Sequence, residues 1–169
     1  MSFLSSYPVV AEALAFAIMC GLVNVSHTLL YSFKGLYGLY ASDPPVDGGA
    51  MLGRDRILGD STTVWGLFVS LAVGAALQAF FSPFGLVIGG ACYVGHGIGS
   101  FIKRRFHVPR GGYVPIIDHG NYAIVAGAVV ASLGGLSWPA YGLAVVIVLA
   151  VHPLICLFGY ALGMRDKKW

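Results

Sequence analysis

Four of the seven acidic residues, Asp43, Asp47, Asp55 and Asp60, fall in one polar stretch, residues 43–66, which reads DPPVDGGAMLGRDRILGDSTTVWG. Two prolines and a Gly-Gly pair open it, and a Gly-Asp-Ser-Thr-Thr run closes it just ahead of an apolar segment. Carboxylates among glycines at a helix start suit a phosphate bound together with its metal. A hard divalent cation takes the oxygen ligands, and free backbone N–H groups take the anion. A solvated loop between two helices has the same composition, so this stretch alone leaves both readings open.

A second polar segment, residues 103–118 (KRRFHVPRGGYVPIID), has the opposite character. Lys103, Arg104, Arg105 and Arg110 against Asp118 sum to +3, whereas residues 34–63 sum to −1. Basic side chains clamp phosphate oxygens. The two loops together therefore describe a site for a nucleoside triphosphate with its metal, or for an anionic lipid head group. Topology and lipid surface charge alone would also account for Lys103, Arg104 and Arg105. The apolar segments carry a few polar residues of their own. Asn24 and His27, three apart, share a helical face and favour bonding between helices over lining a cavity. His96, among the glycines of GHGIGS, suits either substrate contact or hydrogen-bonded packing. His152 precedes Pro153 and reads as structural, because a proline frees a backbone carbonyl that a side chain can satisfy. Ser100 reads as bonding back to its own helix.

The elements that must position these residues are membrane helices. The chain of 169 residues is 57% hydrophobic and only 10% charged, far below the roughly 25% charged residues of soluble domains. Its mean hydropathy is +0.80. Five apolar segments, 9–33, 64–81, 84–102, 122–136 and 141–164, are expected to span the bilayer as one all-α domain covering 1–169. Residues 34–63, 103–118 and 165–169 hold three, four and three of the ten Lys and Arg residues, and the opposite side holds none. The positive-inside rule then puts both large loops and the C-terminus in the cytoplasm, with the N-terminus outside. A net charge of +3 is too small to argue for nucleic acid. Cys20, Cys92 and Cys156 sit inside apolar segments and read as small buried hydrophobes. No span carries a lone carboxylate at mid-depth, which weighs against a transporter.

Taken in order, these motifs resemble the CDP-archaeol synthase family, related to the bacterial CDP-diacylglycerol synthases. Asn24 in the first span is followed by PPVDGG, by RILGDSTTVWG at a helix start, by GSFIKRR at a helix end, and by RGG and PIIDHGNY. The resemblance covers residues 20 to 125 or so, most of the chain. It implies an integral membrane cytidylyltransferase that transfers CMP from CTP to a lipid phosphate, releasing pyrophosphate, with magnesium bound by carboxylates at the cytoplasmic face. The matching positions are Asn24, Pro45, Asp47, Gly59, Asp60, Thr63, Gly66, Ser100, Lys103, Arg104, Arg105, Arg110 and Asp118. On this resemblance Asp60 and Asp118 are the magnesium ligands and, with Lys103, the catalytic set. Asn24, Asp47, Thr63, Ser100, Arg104, Arg105 and Arg110 are the substrate-binding set. No covalent nucleophile is needed, because the lipid phosphate attacks the α-phosphorus of CTP itself.

This chain also departs from the family pattern. Where the Gly-Asp-Ser run is expected to continue Lys-Thr-Trp-Arg-Gly, it reads Thr62-Thr63-Val64-Trp65-Gly66. His96 and Asn121 stand where two acids are expected. The expectation is a cytidylyltransferase of a divergent subfamily. The alternative is a non-catalytic paralogue that binds an anionic lipid or a partner protein.

Overall fold

The computed structural model describes residues 7–32, 43–58, 62–109 and 112–163. Among them five helices run in chain order: α1 Pro8–Ser32, α2 Val64–Phe80, α3 Gly85–Arg105, α4 Pro115–Ser132 and α5 Trp138–Ala161. The segment between α1 and α2 holds a two-stranded antiparallel hairpin, β1 Met51–Leu52 and β2 Asp55–Arg56, with Met51 opposite Arg56 and Leu52 opposite Asp55. Three stretches are long and apolar enough to cross a membrane: Pro8–His27, Gly85–Arg105 and Trp138–Ala161. The 17 residues of α2 are apolar but shorter, about 26 Å at the usual helical rise. Large apolar side chains point outward from α1 and α5, among them Ile18, Val146, Leu154 and Phe158. A surface of this kind belongs to a membrane protein, since water would leave it uncovered.

Helix α3 lies between α2 and α4, while α1 packs on all four other helices. Two pairs of glycines make the close approaches. A Cβ added at Gly89 would strike the Ser70 carbonyl and lie 3.0 Å from the Gly74 Cα on α2. A Cβ at Gly95 would lie 2.6 Å from the Asn121 carbonyl oxygen and 2.7 Å from the Tyr122 Cα on α4. Gly85 and Gly89, and again Gly95 and Gly99, are four apart, so each pair forms a smooth strip along one face. Without a hydrophobic drive between helices in lipid, such strips let backbones touch and gain dispersion contact. The core between them is filled by Phe16, Cys20, Val23, Ile88, Cys92 and Tyr122.

The helix ends differ from the expected spans for local reasons. Helix α4 starts at Pro115 rather than at 122. A proline at the first helical position leaves an N–H missing where none is needed, and the Asp118 carboxylate reaches back to the Val114 N–H at 2.6 Å. Asp118 is thus a first-turn residue and not part of the loop. Helix α3 continues to Arg105, and its last turn carries Lys103, Arg104 and Arg105, where cations offset the helix dipole. Helix α5 runs from Trp138 through Pro153 as one helix. Its N-cap is Ser137, whose hydroxyl and N–H both donate to Glu12 of α1, at 2.6 and 2.7 Å. Glu12→Ala removes both contacts and is expected to cost about 1 kcal/mol. Thermal unfolding in detergent would measure it, and an unchanged midpoint would exclude the contribution.

Candidate functional site

Asp47 is the centre of the 43–58 segment. Its Oδ1 accepts from the Gly49 N–H at 3.0 Å and the Arg56 guanidinium at 2.6 Å, and its Oδ2 accepts from the Leu58 N–H at 3.0 Å. The hairpin turns at Gly53, φ +68°, the left-handed conformation that a tight turn asks of its first residue. The segment is pinned to the start of α2 by the backbone bridge of Pro45 to Thr63. The Thr63 hydroxyl caps α2 through the Gly66 N–H at 3.2 Å, and its carbonyl accepts from the Tyr93 hydroxyl at 2.7 Å. Asp43 accepts from the Trp65 N–H at 3.2 Å, a carboxylate at a helix N-terminus.

Burial alone would raise the pKa of Asp47, but the hydrogen bonds from Leu58, Arg56 and Gly49 outweigh it and hold the carboxyl below its ordinary value. A depressed carboxylate pKa stabilises the fold above the unfolded value of about 3.9 and loses that stability as pH falls through the folded value. The Gly49 and Leu58 amides are therefore expected to resist hydrogen exchange evenly from neutral pH down to about pH 4. Asp47→Ala should speed their exchange about tenfold at neutral pH, the loss of a charge-assisted bond. Unchanged exchange in the variant would show that the hairpin is held without Asp47.

The last turns of α3 carry three stripes at four-residue spacing. Gly95 and Gly99 lead to Lys103 on the face toward α4. His96 leads to Ser100 and Arg104, all three half-buried. Gly97 and Phe101 lead toward Arg105 on the face under the hairpin. A cavity of about 310 Å³ lies there, lined by Val46, Leu58, Thr62, Tyr93, Val94, Gly97, Ile98 and Phe101. Arg105 donates to the Leu52 and Arg56 carbonyls at 3.0 and 3.1 Å, with its guanidinium over the Phe101 ring. It thus fastens the hairpin to the end of α3. Lys103 Nζ meets Asp118 Oδ1 at 2.7 Å, with the two side chains 15% and 28% exposed. A close glycine contact between α3 and α4 brings these two residues together from opposite ends of their helices.

Below this pair runs a chain of polar side chains. Asn24 Nδ2 lies 2.8 Å from His152 Nε2, and His152 Nδ1 lies 2.7 Å from His119 Nδ1. The Tyr113 hydroxyl lies 2.5 Å from His119 Nε2. Burial first, then the Asp118 charge, push the Tyr113 hydroxyl above its ordinary pKa, so it keeps its proton. His27 bonds to the Ser70 hydroxyl at 2.5 Å. His96 stacks between the His27 and Tyr122 rings, centroids 5.3 and 5.5 Å away. Its buried Nε2 has no hydrogen-bond partner among the described residues, so of the two readings open from sequence, substrate contact or hydrogen-bonded packing, the second is not seen at this atom.

Asn24 and His27 bridge helices, as their shared face suggests. His152 bonds side chains of α1 and α4, whereas from sequence it was expected to serve a carbonyl freed by Pro153. His119, Tyr113 and Cys156 escape a reading of the sequence. The one local signal is the four-residue spacing of His152 and Cys156, which puts both on one face of α5. Asp60, Gly59 and Arg110 lie outside the described residues. Leu58 and Thr62, on either side of residues 59–61, both line the cavity.

Residues 69–169 match the family model for CarS-like CDP-archaeol synthase. The CDP-archaeol synthase of Halobacterium salinarum is 33% identical over 151 residues, covering 74% of this chain and 83% of the relative. That of Methanopyrus kandleri is 30% identical over 145 residues, covering 78% and 83%. That of Staphylothermus marinus is 30% identical over 155 residues, covering 88% and 86%. No solved structure matches the chain. A family model over more than half of the sequence, and relatives aligned along most of both chains, agree with the motif order: the chain belongs to the CDP-archaeol synthase family.

Proposed function

We propose that the protein is a CTP-dependent cytidylyltransferase that converts a membrane lipid phosphate to a CDP-lipid with release of pyrophosphate. The observation that carries this reading is the half-buried pair of Lys103 and Asp118, brought together where the glycine contact joins the end of α3 to the start of α4. In the proposed reaction an oxygen of the lipid phosphate attacks the α-phosphorus of CTP, and the bond to the β-phosphate oxygen breaks. Lys103 and Arg104 bind the phosphate oxygens and offset the charge that develops on the leaving pyrophosphate. Asn24, Asp47, Thr63, Ser100, Arg105 and Arg110 complete the proposed substrate-binding set.

Magnesium suits the donor set. Asp118 accepts one hydrogen bond on each oxygen, which leaves lone pairs on both, and its side chain is partly open to solvent. Asp60 and Asp118 would hold the ion, which when bound neutralises triphosphate charge. In the bilayer we place five spans with the hairpin, Lys103 and Asp118 at the cytoplasmic face, because all ten Lys and Arg residues fall on that side of a five-span arrangement.

A second reading, a non-catalytic paralogue that binds an anionic lipid, is favoured by one observation. Arg105 and Lys103 are already engaged inside the protein, while positions 62, 96 and 121 are uncharged. One assay separates the two readings. Purified protein in mixed micelles, given labelled CTP, a lipid phosphate and magnesium, should move label into the lipid phase and release one pyrophosphate per CDP-lipid. Lipid binding without transfer of label, across all common nucleotides, would leave the second reading standing.

A further inference from the structure

His119 of α4, and His152 and Cys156 of α5, each bring one donor atom to within 4.8 Å of the other two. We infer that these three side chains form a binding site for a single borderline or soft metal ion, zinc foremost, held by two imidazoles and a thiolate. Nothing in the cytidylyltransferase reading requires this site, and it stands or falls separately.

Its chemistry differs from that of the carboxylate site. Thiolate and imidazole select zinc or copper(I), whereas magnesium keeps to oxygen ligands. Tetrahedral zinc takes nitrogen at about 2.0–2.1 Å and sulfur at about 2.3 Å, which sets the ligand nitrogens about 3.3 Å apart and nitrogen to sulfur about 3.6 Å. His119 Nδ1 and His152 Nδ1 are 2.7 Å apart, joined by one shared proton, and Cys156 Sγ lies 4.0 Å from His152 Nδ1. Sγ is nearer His152 Nε2, at 3.7 Å, than Nδ1, so the His152 ring must turn toward the thiol, and the two imidazoles open, for the three donors to reach bonding distance. His119 is 4% and Cys156 3% exposed, and His152 between them is half-buried.

The surroundings supply the partners a metal-bound imidazole needs once the Asn24 amide turns its oxygen to His152. Each such ring must hold its far N–H on an acceptor, which fixes its tautomer and orientation. His119 has the Tyr113 hydroxyl at its Nε2, and His152 has the Asn24 amide at its Nε2. With a metal on both Nδ1 atoms, the bridging proton moves to the far nitrogen of the ring that carried it. The Asn24 amide then presents its oxygen, an orientation equal in shape to the other. The Cys156 thiol gives up its proton to solvent as the thiolate binds.

The test uses the full-length protein in detergent, stripped with a chelator and then loaded with Zn2+ or Co2+. The parent should retain one Zn2+ per chain through desalting, and Co2+ should give a thiolate-to-metal absorption band. Cys156→Ser should abolish the band and weaken Zn2+ at least tenfold, since even partners of the ligands contribute 10- to 100-fold. Cys92→Ser, which alters a buried thiol outside the cluster, should keep both. Zn2+ should raise the melting temperature of the parent and not of Cys156→Ser, which must show the parent's helical signal. If it does not, His119→Gln carries the same comparison. No ion retained by the parent, or a band that survives in Cys156→Ser, would overturn the site and leave a hydrogen-bonded chain alone.

Discussion

Asp118→Asn is expected to lower CDP-lipid formation by about 10²–10³-fold, the scale of losing one preorganised charge partner at a reacting phosphate, while the fold persists. The reason lies in how the carboxylate is used. Its Oδ2 receives the Val114 N–H at the start of α4, and the amide oxygen of asparagine can still accept that bond. Its Oδ1 faces Lys103 at 2.7 Å, and there asparagine brings an NH2 group toward an ammonium. The variant thus keeps the cap and loses the charge. The loss should fall on kcat, with a higher magnesium concentration needed for half-maximal rate, and thermal unfolding should move little. Turnover within a few-fold of the parent would mean that Asp118 serves Lys103 alone and holds no metal.

Gly95→Leu should force α3 away from α4 and damage both the fold and the pair of Lys103 and Asp118. The Cβ position is already 2.6 Å from the Asn121 carbonyl oxygen and 2.7 Å from the Tyr122 Cα. Backbone cannot swing aside as a side chain can, so α3 and α4 must separate. Even Gly95→Ala should cost about 1–3 kcal/mol, the usual range for overpacking, and leucine more. Asn121 is one turn beyond Asp118, so the separation also pulls Asp118 away from Lys103. Activity should therefore fall in Gly95→Ala even where the protein stays folded. Gly142→Ala, with nothing within 4 Å of its added Cβ, is the control. Equal melting temperatures for Gly95→Ala and Gly142→Ala would show that the close approach carries no stability.

Much of this was legible in the sequence because it follows local rules. The helices announce themselves by apolar length, and the polar 43–66 stretch by its prolines, glycines and carboxylates. Thr63 sits at a helix start, as a capping residue should. The ion pair of Lys103 with Asp118 was not foreseen, because Asp118 was read as a metal ligand. Other features depend on contacts between segments far apart and left no local trace. The two-residue strands are too short for an alternating pattern to show. Arg105 looks like any other phosphate-binding cation until the hairpin carbonyls come beneath it. His119 and His152 are 33 residues apart, and only the packing of α4 on α5 makes them neighbours. The expected start of the fourth span at 122 missed about two turns of helix, which begins at Pro115, because Asp118 was counted as loop charge rather than as a helix-end residue.

The bond from Glu12 to Ser137 has a consequence for the order of events during synthesis. Its partners are 125 residues apart in sequence, and the bond from Asn24 to His152 likewise joins the first helix to the last. At 5–20 residues per second, roughly 6–25 s separate the emergence of Glu12 from that of Ser137. Through that interval α1 holds a carboxylate and an amide with no permanent partners. It therefore has to wait at the insertion machinery or lie at the water interface until the final helix arrives. Assembly of this bundle is closed by its last segment, so a chain cut short before α5 lacks the partners of Glu12 and Asn24.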